Sequence, residues 1–170
     1  TTAPWGEYEE LIEGVRVKEG ITDVIAYSFY GLSKLKWAEM ADSVTRIGDC
    51  TFACCTTLKS AKIPENVIRI DGGAFKYCTA LETISIPERT TTIGYDAFAN
   101  CTALRSINIP KNLNRCANSA FWGCTNLRAL YIEDLLQWLN MEEWPTFDTA
   151  SFNYADISIN YYVAGVALEN

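Results

Sequence analysis

The apolar positions of this chain recur with a period of 23 residues. Each unit has a phenylalanine, a leucine or cysteine three residues later, and a leucine six residues later. Apolar residues also occupy the ninth and eleventh positions after the phenylalanine. Because so many columns keep one spacing, the pattern predicts a repeat architecture. The phenylalanine column consists of Phe29, Phe52, Phe75, Phe98 and Phe121.

Each unit contains the pattern L-x-x-I-x-I, which we interpret as a β-strand with one buried face. Apolar and polar residues alternate over its last positions, which is the period of a strand. In three units a proline follows and ends the strand where no ladder N–H is needed. The pattern extends back to Ile12, Val15 and Val17, so it occurs six times. We therefore predict six parallel strands.

The rest of each unit predicts two corners of a coil. An apolar pair such as Val44 and Ile47 indicates a short extended segment. The A-F-x-x-C segment that follows fits one helical turn. No unit can bury its apolar side alone, so the units must stack into a solenoid with a parallel sheet on one face. We expect about five to six repeats, with phenylalanine, leucine and isoleucine columns inside.

The repeat also resembles a known family. The stretch from Ile86 to Pro110 reads I-P, then I-G-Y-D-A-F-A-N-C-T-A-L-R-S-I-N-I-P, and is similar to the repeat of BspA-like leucine-rich repeat proteins. The resemblance covers about residues 12–132, with modest departures such as Leu32 in a cysteine column. It implies a right-handed leucine-rich-repeat coil. It also implies an extracellular or cell-surface protein, in bacteria and some protists, that binds host proteins or other cells.

We expect three parts, because a stacked array needs covered ends. They are an N-terminal capping segment with the first strand over residues 1–17, the repeats over 18–132, and a C-terminal unit over 133–170. At the N-terminus, Trp5, Tyr8, Leu11 and Ile12 have helical spacing and predict a short amphipathic helix over the first coil. The chain begins without methionine, so we expect an excerpt of a longer or processed protein.

The C-terminal unit is expected to hold a helix and a hairpin. Asp134 suits the N-cap of a helix over 135–140, with Leu135, Trp138 and Leu139 on its apolar face. Residues 157–163 and 166–168, separated by Ala164 and Gly165, predict a hairpin. Aromatic residues at both ends could form hydrophobic lids or ligand platforms, and the need to cover end coils favours lids.

Composition narrows the chemistry. The net charge is −7, with 14 Lys plus Arg against 21 Asp plus Glu, so the chain is a poor candidate for nucleic-acid binding. No apolar run has the length of a membrane span. The absence of histidine removes Ser-His-Asp and Cys-His catalysis and histidine-ligated zinc. We expect no enzyme activity, no metal and no cofactor.

The seven cysteines are interpreted as structural. Four of them share one column beside the phenylalanine and leucine columns, where a small buried apolar residue belongs. Side chains in one column point the same way, which is poor geometry for disulfides. We therefore expect reduced, inert thiols at Cys55, Cys78, Cys101 and Cys124.

Residues between the buried strand positions face outward and form the candidate binding face. They are small and polar in the middle rungs and aromatic at the two ends. Lys36, Lys59, Arg105 and Arg128 share the column beside them, interrupted by Glu82, and predict a basic edge. We expect this edge to be the only cluster of positive charge that the spacing produces. The candidate partner-binding residues are Lys36, Trp37, Lys59, Lys62, Arg105, Asn108, Arg128 and Tyr131; a merely solvated face is the alternative.

Two functional hypotheses stay open. The first is a non-enzymatic, monomeric surface module that binds a protein or glycan ligand on a host or neighbouring cell through its sheet face. The second is a structural spacer within a larger surface protein, which the open-ended array favours. A third, an enzyme, is disfavoured because the sequence contains no acid–base or metal constellation.

Overall fold

The structure is a computed structural model that describes residues 5–141, 161–163 and 166–168. Each repeat forms one coil with a strand at its L-x-x-I-x-I match, a second strand of two residues and a run of turns. The element order is β1 Gly14–Val17, β2 Asp23–Val24, β3 Trp37–Met40, β4 Arg46–Ile47, β5 Ser60–Lys62, β6 Arg69–Ile70, β7 Thr83–Ile84, β8 Thr92–Ile93, β9 Ser106–Ile109, β10 Arg115–Cys116, β11 Ala129–Ile132, α1 Leu135–Leu139, β12 Tyr161–Val163 and β13 Val166–Leu168.

The strands stack in register as the spacing predicts. The six strands at the L-x-x-I-x-I matches form two parallel three-stranded sheets, in the orders β1-β3-β5 and β11-β9-β7. We call these six the longer strands, although β7 has only two residues. Five further strands of two residues form a second side, a five-stranded parallel sheet in the order β10-β8-β6-β4-β2. Paired residues are one period apart, as in Ala38 opposite Ala61 and Ile107 opposite Leu130. The predicted solenoid with one strand per L-x-x-I-x-I match is confirmed. Among the described residues no helix is long and apolar enough to span a bilayer.

The third side of each coil is built from turns and not from the expected helical turn. The N–H groups of Phe52, Phe75 and Phe98 donate to carbonyls of the next coil at 2.7–2.8 Å. The N–H groups of the alternate residues close local turns within the same coil. For example, the N–H of Cys55 donates to Phe52 O at 3.2 Å. The residue two positions after each of these phenylalanines has positive φ, 60° at Asn100 for example. A helix cannot form because every second N–H bonds across to the next coil.

The phenylalanine column forms a continuous stack in the core. Ring centroids of successive phenylalanines are 5.2, 5.2, 5.4 and 5.5 Å apart. Phe52, Phe75, Phe98 and Phe121 are completely buried, and Phe29 is partly buried at the end of the stack. The indole of Trp5 continues the stack at 5.5 Å from Phe29. Trp5 therefore covers the first rung, as expected of a capping residue.

The predicted N-terminal helix is wrong. Residues Trp5 to Leu11 form turns, in which the N–H of Tyr8 donates to Trp5 O at 2.7 Å and that of Leu11 to Tyr8 O at 2.8 Å. Tyr8 is 60% exposed and Leu11 74% exposed, so they form no buried face. A segment this short cannot offset the cost of helix nucleation when only Trp5 and Ile12 pack against the core.

The C-terminal helix and hairpin are present. Asp134 Oδ1 accepts the backbone N–H groups of Leu136 and Gln137 at 2.9 and 3.0 Å, which is the expected N-cap. Strands β12 and β13 pair antiparallel. Leu139, predicted on the apolar face of this helix, is 54% exposed. The side chains of Leu135 and Trp138, and residues 157–160 of the predicted hairpin, lie outside the described part.

The cysteine column is buried and hydrogen-bonded. The Sγ atoms of Cys55, Cys78, Cys101 and Cys124 lie 3.1–3.2 Å from the carbonyl oxygen of the phenylalanine in the preceding coil. None of the seven cysteines, all of which lie among the described residues, forms a disulfide. Burial raises the pKa of the Cys55 and Cys124 thiols to about 12 and that of Cys78 and Cys101 well above its ordinary value. These thiols are therefore poor nucleophiles.

We expect only Cys50 and Cys54 to react rapidly with Ellman's reagent in the native protein. Both are half-buried, whereas the other five thiols, including Cys116, are buried. Denaturation should expose these five thiols and let them react. A Cys50→Ala/Cys54→Ala variant should lack the rapid phase, and rapid reaction of that variant would contradict the buried column.

Glu88 is expected to make stability fall as pH rises. Burial, and secondly the neighbouring Glu133, raise the pKa of Glu88 from 4.5 to about 6. The folded state therefore holds this proton more tightly than the unfolded state, and the contribution is lost as pH rises from about 4.5 through about 6. Glu88→Gln should raise the melting temperature relative to wild type at pH 7 and leave it nearly unchanged at pH 4. Glu7→Gln, at an exposed position, is the matched control. An equal shift at both pH values would contradict the assignment.

Candidate binding face

The outward side of five of the longer strands, β3, β5, β7, β9 and β11, forms a shallow groove of ≈ 580 Å³. Side chains alternate along each strand, so the first and third residues of β3, β5 and β9 face outward. We call this surface the sheet face. Trp37 and Tyr131 stand at its two ends and are 40% and 44% exposed. Its polar lining between them consists of Glu39, Ser60, Lys62, Glu65, Thr83, Ser85, Ser106 and Asn108.

Trp37 is held in place by residues of β1. Gly14 lies opposite it in the ladder, and a Cβ atom at position 14 would overlap the indole ring. The absence of a side chain there lets the ring lie against the β1 backbone. The guanidinium carbon of Arg16 lies 5.8 Å from the ring centroid, and Arg16 Nη2 is 2.8 Å from Glu39 Oε2. These contacts fix the orientation of the indole, which presents a half-exposed apolar surface.

The floor of the groove contains a break in the hydrogen-bonded ladder. Within the described residues, no backbone hydrogen bond joins β5 to β7, although these strands are neighbours in the stack. In other coils the equivalent bonds are present, as from Lys59 N to Lys36 O at 3.0 Å and from Arg128 N to Arg105 O at 2.8 Å. Nothing in the repeat pattern of these two strands predicts the break.

Asn108 has a structural role on this face. Its Nδ2 donates to Ile86 O at 2.7 Å, and its Oδ1 accepts from Ile86 N at 2.8 Å. The side chain therefore takes the place of a strand partner for the end of the preceding rung. Both ends of the amide make a hydrogen bond, so the orientation of this candidate residue in the groove is fixed.

The predicted basic edge is a mixed charged edge. One period before Lys36 lies Glu13, whose Oε1 is 2.7 Å from Lys36 Nζ. The column has four basic and two acidic members, so its formal charge is 4 − 2 = +2. Lys36 is therefore neutralised, and the excess positive charge lies further along the stack. We define the charged edge as Glu13, Lys36, Lys59, Glu82, Arg105 and Arg128.

The eight candidate residues lie on adjoining surfaces. Trp37, Lys62, Asn108 and Tyr131 line the groove. The other four stand on the charged edge, where Arg105 and Arg128 border a second hollow of ≈ 450 Å³ together with Glu82. Arg128 Nη1 donates to Thr125 O at 2.9 Å and Leu127 O at 3.1 Å, which fixes its direction.

A second row of arginines was missed by the sequence argument. Arg46, Arg69 and Arg115 lie on the five-stranded sheet, at the first residue of β4, β6 and β10. The expectation that the charged edge is the only positive cluster is therefore wrong. The period of 23 already placed these residues in one column, one position before the buried isoleucine or cysteine. Thr92 stands between Arg69 and Arg115 in this column, so the arginines do not form a continuous series in the sequence pattern.

Solved structures of bacterial repeat proteins are similar to this chain. A leucine-rich cell surface protein from Faecalibacterium prausnitzii has 29% sequence identity and a TM-score of 0.73, over 79% of this chain and 35% of that one. A leucine-rich repeat protein from T. pallidum has 25% identity and a TM-score of 0.69, over 80% and 70%. One from Eubacterium ventriosum has 27% identity and a TM-score of 0.70, over 78% and 35%. The chain spans only about a third of the first and third of these proteins.

Sequence comparison gives the family. No curated protein sequence matches the chain significantly. The family model described as "BspA type Leucine rich repeat region" matches residues 8–132 in six copies, which agrees with the six longer strands. The chain therefore belongs to the BspA-type leucine-rich repeat family.

Proposed function

We propose that this chain is a non-enzymatic binding module of a bacterial surface protein, and that its sheet face takes a protein or glycan partner on a host or neighbouring cell. The observation that carries the proposal is the groove of ≈ 580 Å³ with a half-exposed aromatic ring at each end. Aromatic anchors beside polar positions are typical of residues that dominate binding energy. Repeat solenoids commonly bind through such broad surfaces.

Location and assembly belong to the same proposal. The similarity to a protein named as a leucine-rich cell surface protein supports an extracellular or surface location. The acidic chain, with a net charge of −7, does not suit nucleic acid. The lack of histidine supports a binding role without catalysis. We propose that the module acts as a monomer.

Removal of Trp37 tests the proposal. Trp37→Ala should weaken binding to the partner at least tenfold, because truncation of an aromatic anchor costs about 2 kcal/mol or more. Trp122→Ala is the matched control, since Trp122 is 46% exposed on the turn side of the coil. Binding would be measured by surface plasmon resonance against a panel of host extracellular-matrix proteins and by glycan array. Equal affinities of the two variants would contradict the sheet face as the binding site.

A structural spacer is the second candidate. It is favoured by the uninterrupted stack of core side chains, which keeps one geometry from Trp5 to Phe121. A spacer should bind no member of the panel, and Trp37→Ala should then have no binding phenotype.

A further inference from the structure

Two cysteines on the turn side of the solenoid differ from the other five. Cys50 and Cys54 are half-buried, whereas the remaining thiols are buried. Their backbone N–H groups both donate to the next coil, Cys50 to Gly72 O at 2.9 Å and Cys54 to Lys76 O at 2.8 Å. Both residues have positive φ, 51° and 63°. The two thiols therefore branch from the same backbone conformation within one run of turns.

The backbone between the two cysteines is folded. The N–H of Ala53 donates to Cys50 O at 3.2 Å and closes a turn over residues 50–53. Such a turn brings the Cα atoms of its first and fourth residues within about 7 Å. Cys54 directly follows this turn, and disulfides join residues whose Cα atoms are about 4–7 Å apart. Rotation of the two side chains, with a small backbone adjustment, therefore suffices to join Cys50 and Cys54.

Glycines at the neighbouring positions leave both thiols uncovered. Gly73 lies one period after Cys50, and a Cβ atom at position 73 would lie 3.0 Å from Cys50 Sγ. Gly31 lies one period before Cys54, and a Cβ atom at position 31 would have nothing within 4 Å. No side chain in the same column therefore covers Cys50 from the following coil or Cys54 from the preceding one. A small reagent can reach both sulfur atoms.

Two exposed tyrosines of the preceding coil lie beside the thiols. Cys54 Sγ is 3.8 Å from Tyr30 Oη. Cys50 is the main cause of the raised pKa of Tyr27. The pKa of Tyr30 is raised chiefly by Cys54 and less by Cys50. The two tyrosine rings are only 5.7 Å apart, so the two thiols belong to one small surface cluster.

We propose that Cys50 and Cys54 form a reversible intramolecular disulfide when the protein meets a low-molecular-weight disulfide such as oxidised glutathione. In the first step the thiolate of one cysteine attacks a sulfur atom of the oxidant, whose S–S bond breaks and releases one thiolate. In the second step the other cysteine thiolate attacks the mixed disulfide, forms the Cys50–Cys54 bond and releases the second thiolate. The protein loses two protons and two electrons, and the oxidant is reduced to two thiols.

Burial keeps the neighbouring thiol out of this reaction. Cys55 follows Cys54 in the chain, but its Sγ is 3.1 Å from Phe29 O, and burial raises its pKa to about 12. Little of it is thiolate near neutral pH, and thiolate is the attacking species. Extracellular surroundings are oxidising, so the surface location proposed above would favour the disulfide. The reaction itself does not depend on partner binding by the sheet face.

The test is mass spectrometry of the folded, reduced protein after incubation with oxidised glutathione. After a quench in acid and denaturant, N-ethylmaleimide counts the remaining thiols. We expect five alkylated cysteines, against seven in the reduced protein, and no bound glutathione. Arg46 and Lys59 bound the tryptic peptide that contains Cys50, Cys54 and Cys55. Fragmentation of this peptide should place its single alkylated cysteine at position 55.

Single variants separate the disulfide from other reactions. Cys50→Ala and Cys54→Ala each retain one accessible thiol, and each should hold one glutathione as a mixed disulfide. Cys55→Ala is the matched control, because it removes the adjacent buried thiol, and it should still form the disulfide. If circular dichroism shows that Cys55→Ala is unfolded, fragmentation of the wild-type peptide decides between positions 54 and 55.

Several outcomes would overturn the proposal. They are a wild type that stays fully reduced, one that holds glutathione on both cysteines, one that forms covalent dimers, and a disulfide that includes Cys55. Treatment of the oxidised protein with dithiothreitol should restore all seven thiols. A disulfide that persists in the folded protein under this treatment would contradict its reversibility.

Discussion

Replacing Phe75 with alanine is expected to lower the free energy of unfolding by about 3–5 kcal/mol. Phe75 is completely buried, and its ring lies 5.2 Å from that of Phe52 and 5.4 Å from that of Phe98. The truncation removes apolar surface and leaves a cavity in the middle of the stack. Each coil is held in place by both neighbours, so the surrounding residues cannot collapse freely into the gap.

Chemical denaturation followed by far-UV circular dichroism measures this effect. Trp122→Ala is the control, because it removes a larger aromatic ring from a half-exposed position on the same side of the coil. It should change the free energy of unfolding by much less than Phe75→Ala. Equal destabilisation by the two variants would mean that the phenylalanine stack does not dominate the core.

The core could be predicted because one spacing governs the whole stack. When every coil has 23 residues, equivalent positions lie over one another whatever the local backbone does. The phenylalanine, cysteine and leucine columns, to which Phe29, Cys55 and Leu58 belong, could therefore be predicted from the period and the burial preference of each residue type alone. The register of the strands follows from the same argument.

The turn side could not be predicted from local pattern. The A-F-x-x-C segment has the composition of a helical turn, but its alternate N–H groups bond to carbonyls 22 residues away. Local propensity carries no information about such partners. Cys54, Tyr77 and Asn100 have positive φ, a conformation for which the sequence offers glycine at the equivalent Gly31 and Gly123. Those glycines were the available signal.

The charges were only partly predictable. The pair of Glu13 and Lys36 obeys the 23-residue spacing and could have been found by extending the column one coil further back. Asp71 is different, because its column contains Gly48, Gly94 and Ala117 and gives no indication that a carboxylate is buried there. Its burial depends on two arginines that reach it from two different rungs. Such a triad is visible only in three dimensions.

Reversing two charges on the charged edge should reduce partner binding most at low salt. Lys59 and Arg105 flank Glu82, and within the described residues neither side chain forms an ion pair. Lys59→Glu with Arg105→Glu turns this part of the edge into three consecutive acidic positions. If the partner is an acidic protein segment or an anionic glycan, we expect association to slow by a factor on the order of 10–100 at low ionic strength, and by less at physiological salt.

The control must make the same change in net charge elsewhere. Lys18→Glu with Lys111→Glu changes two exposed lysines away from the sheet face. Long-range attraction depends on the total charge, whereas a binding edge depends on where the charges lie. A larger effect at Lys59 and Arg105 than at the control positions therefore assigns the contact to the charged edge. Unchanged affinity and salt dependence in the folded double variant would remove this edge from the binding site. The groove of the sheet face would then have to bind the partner alone. If Trp37→Ala also left partner binding unchanged, the structural spacer would be the better account.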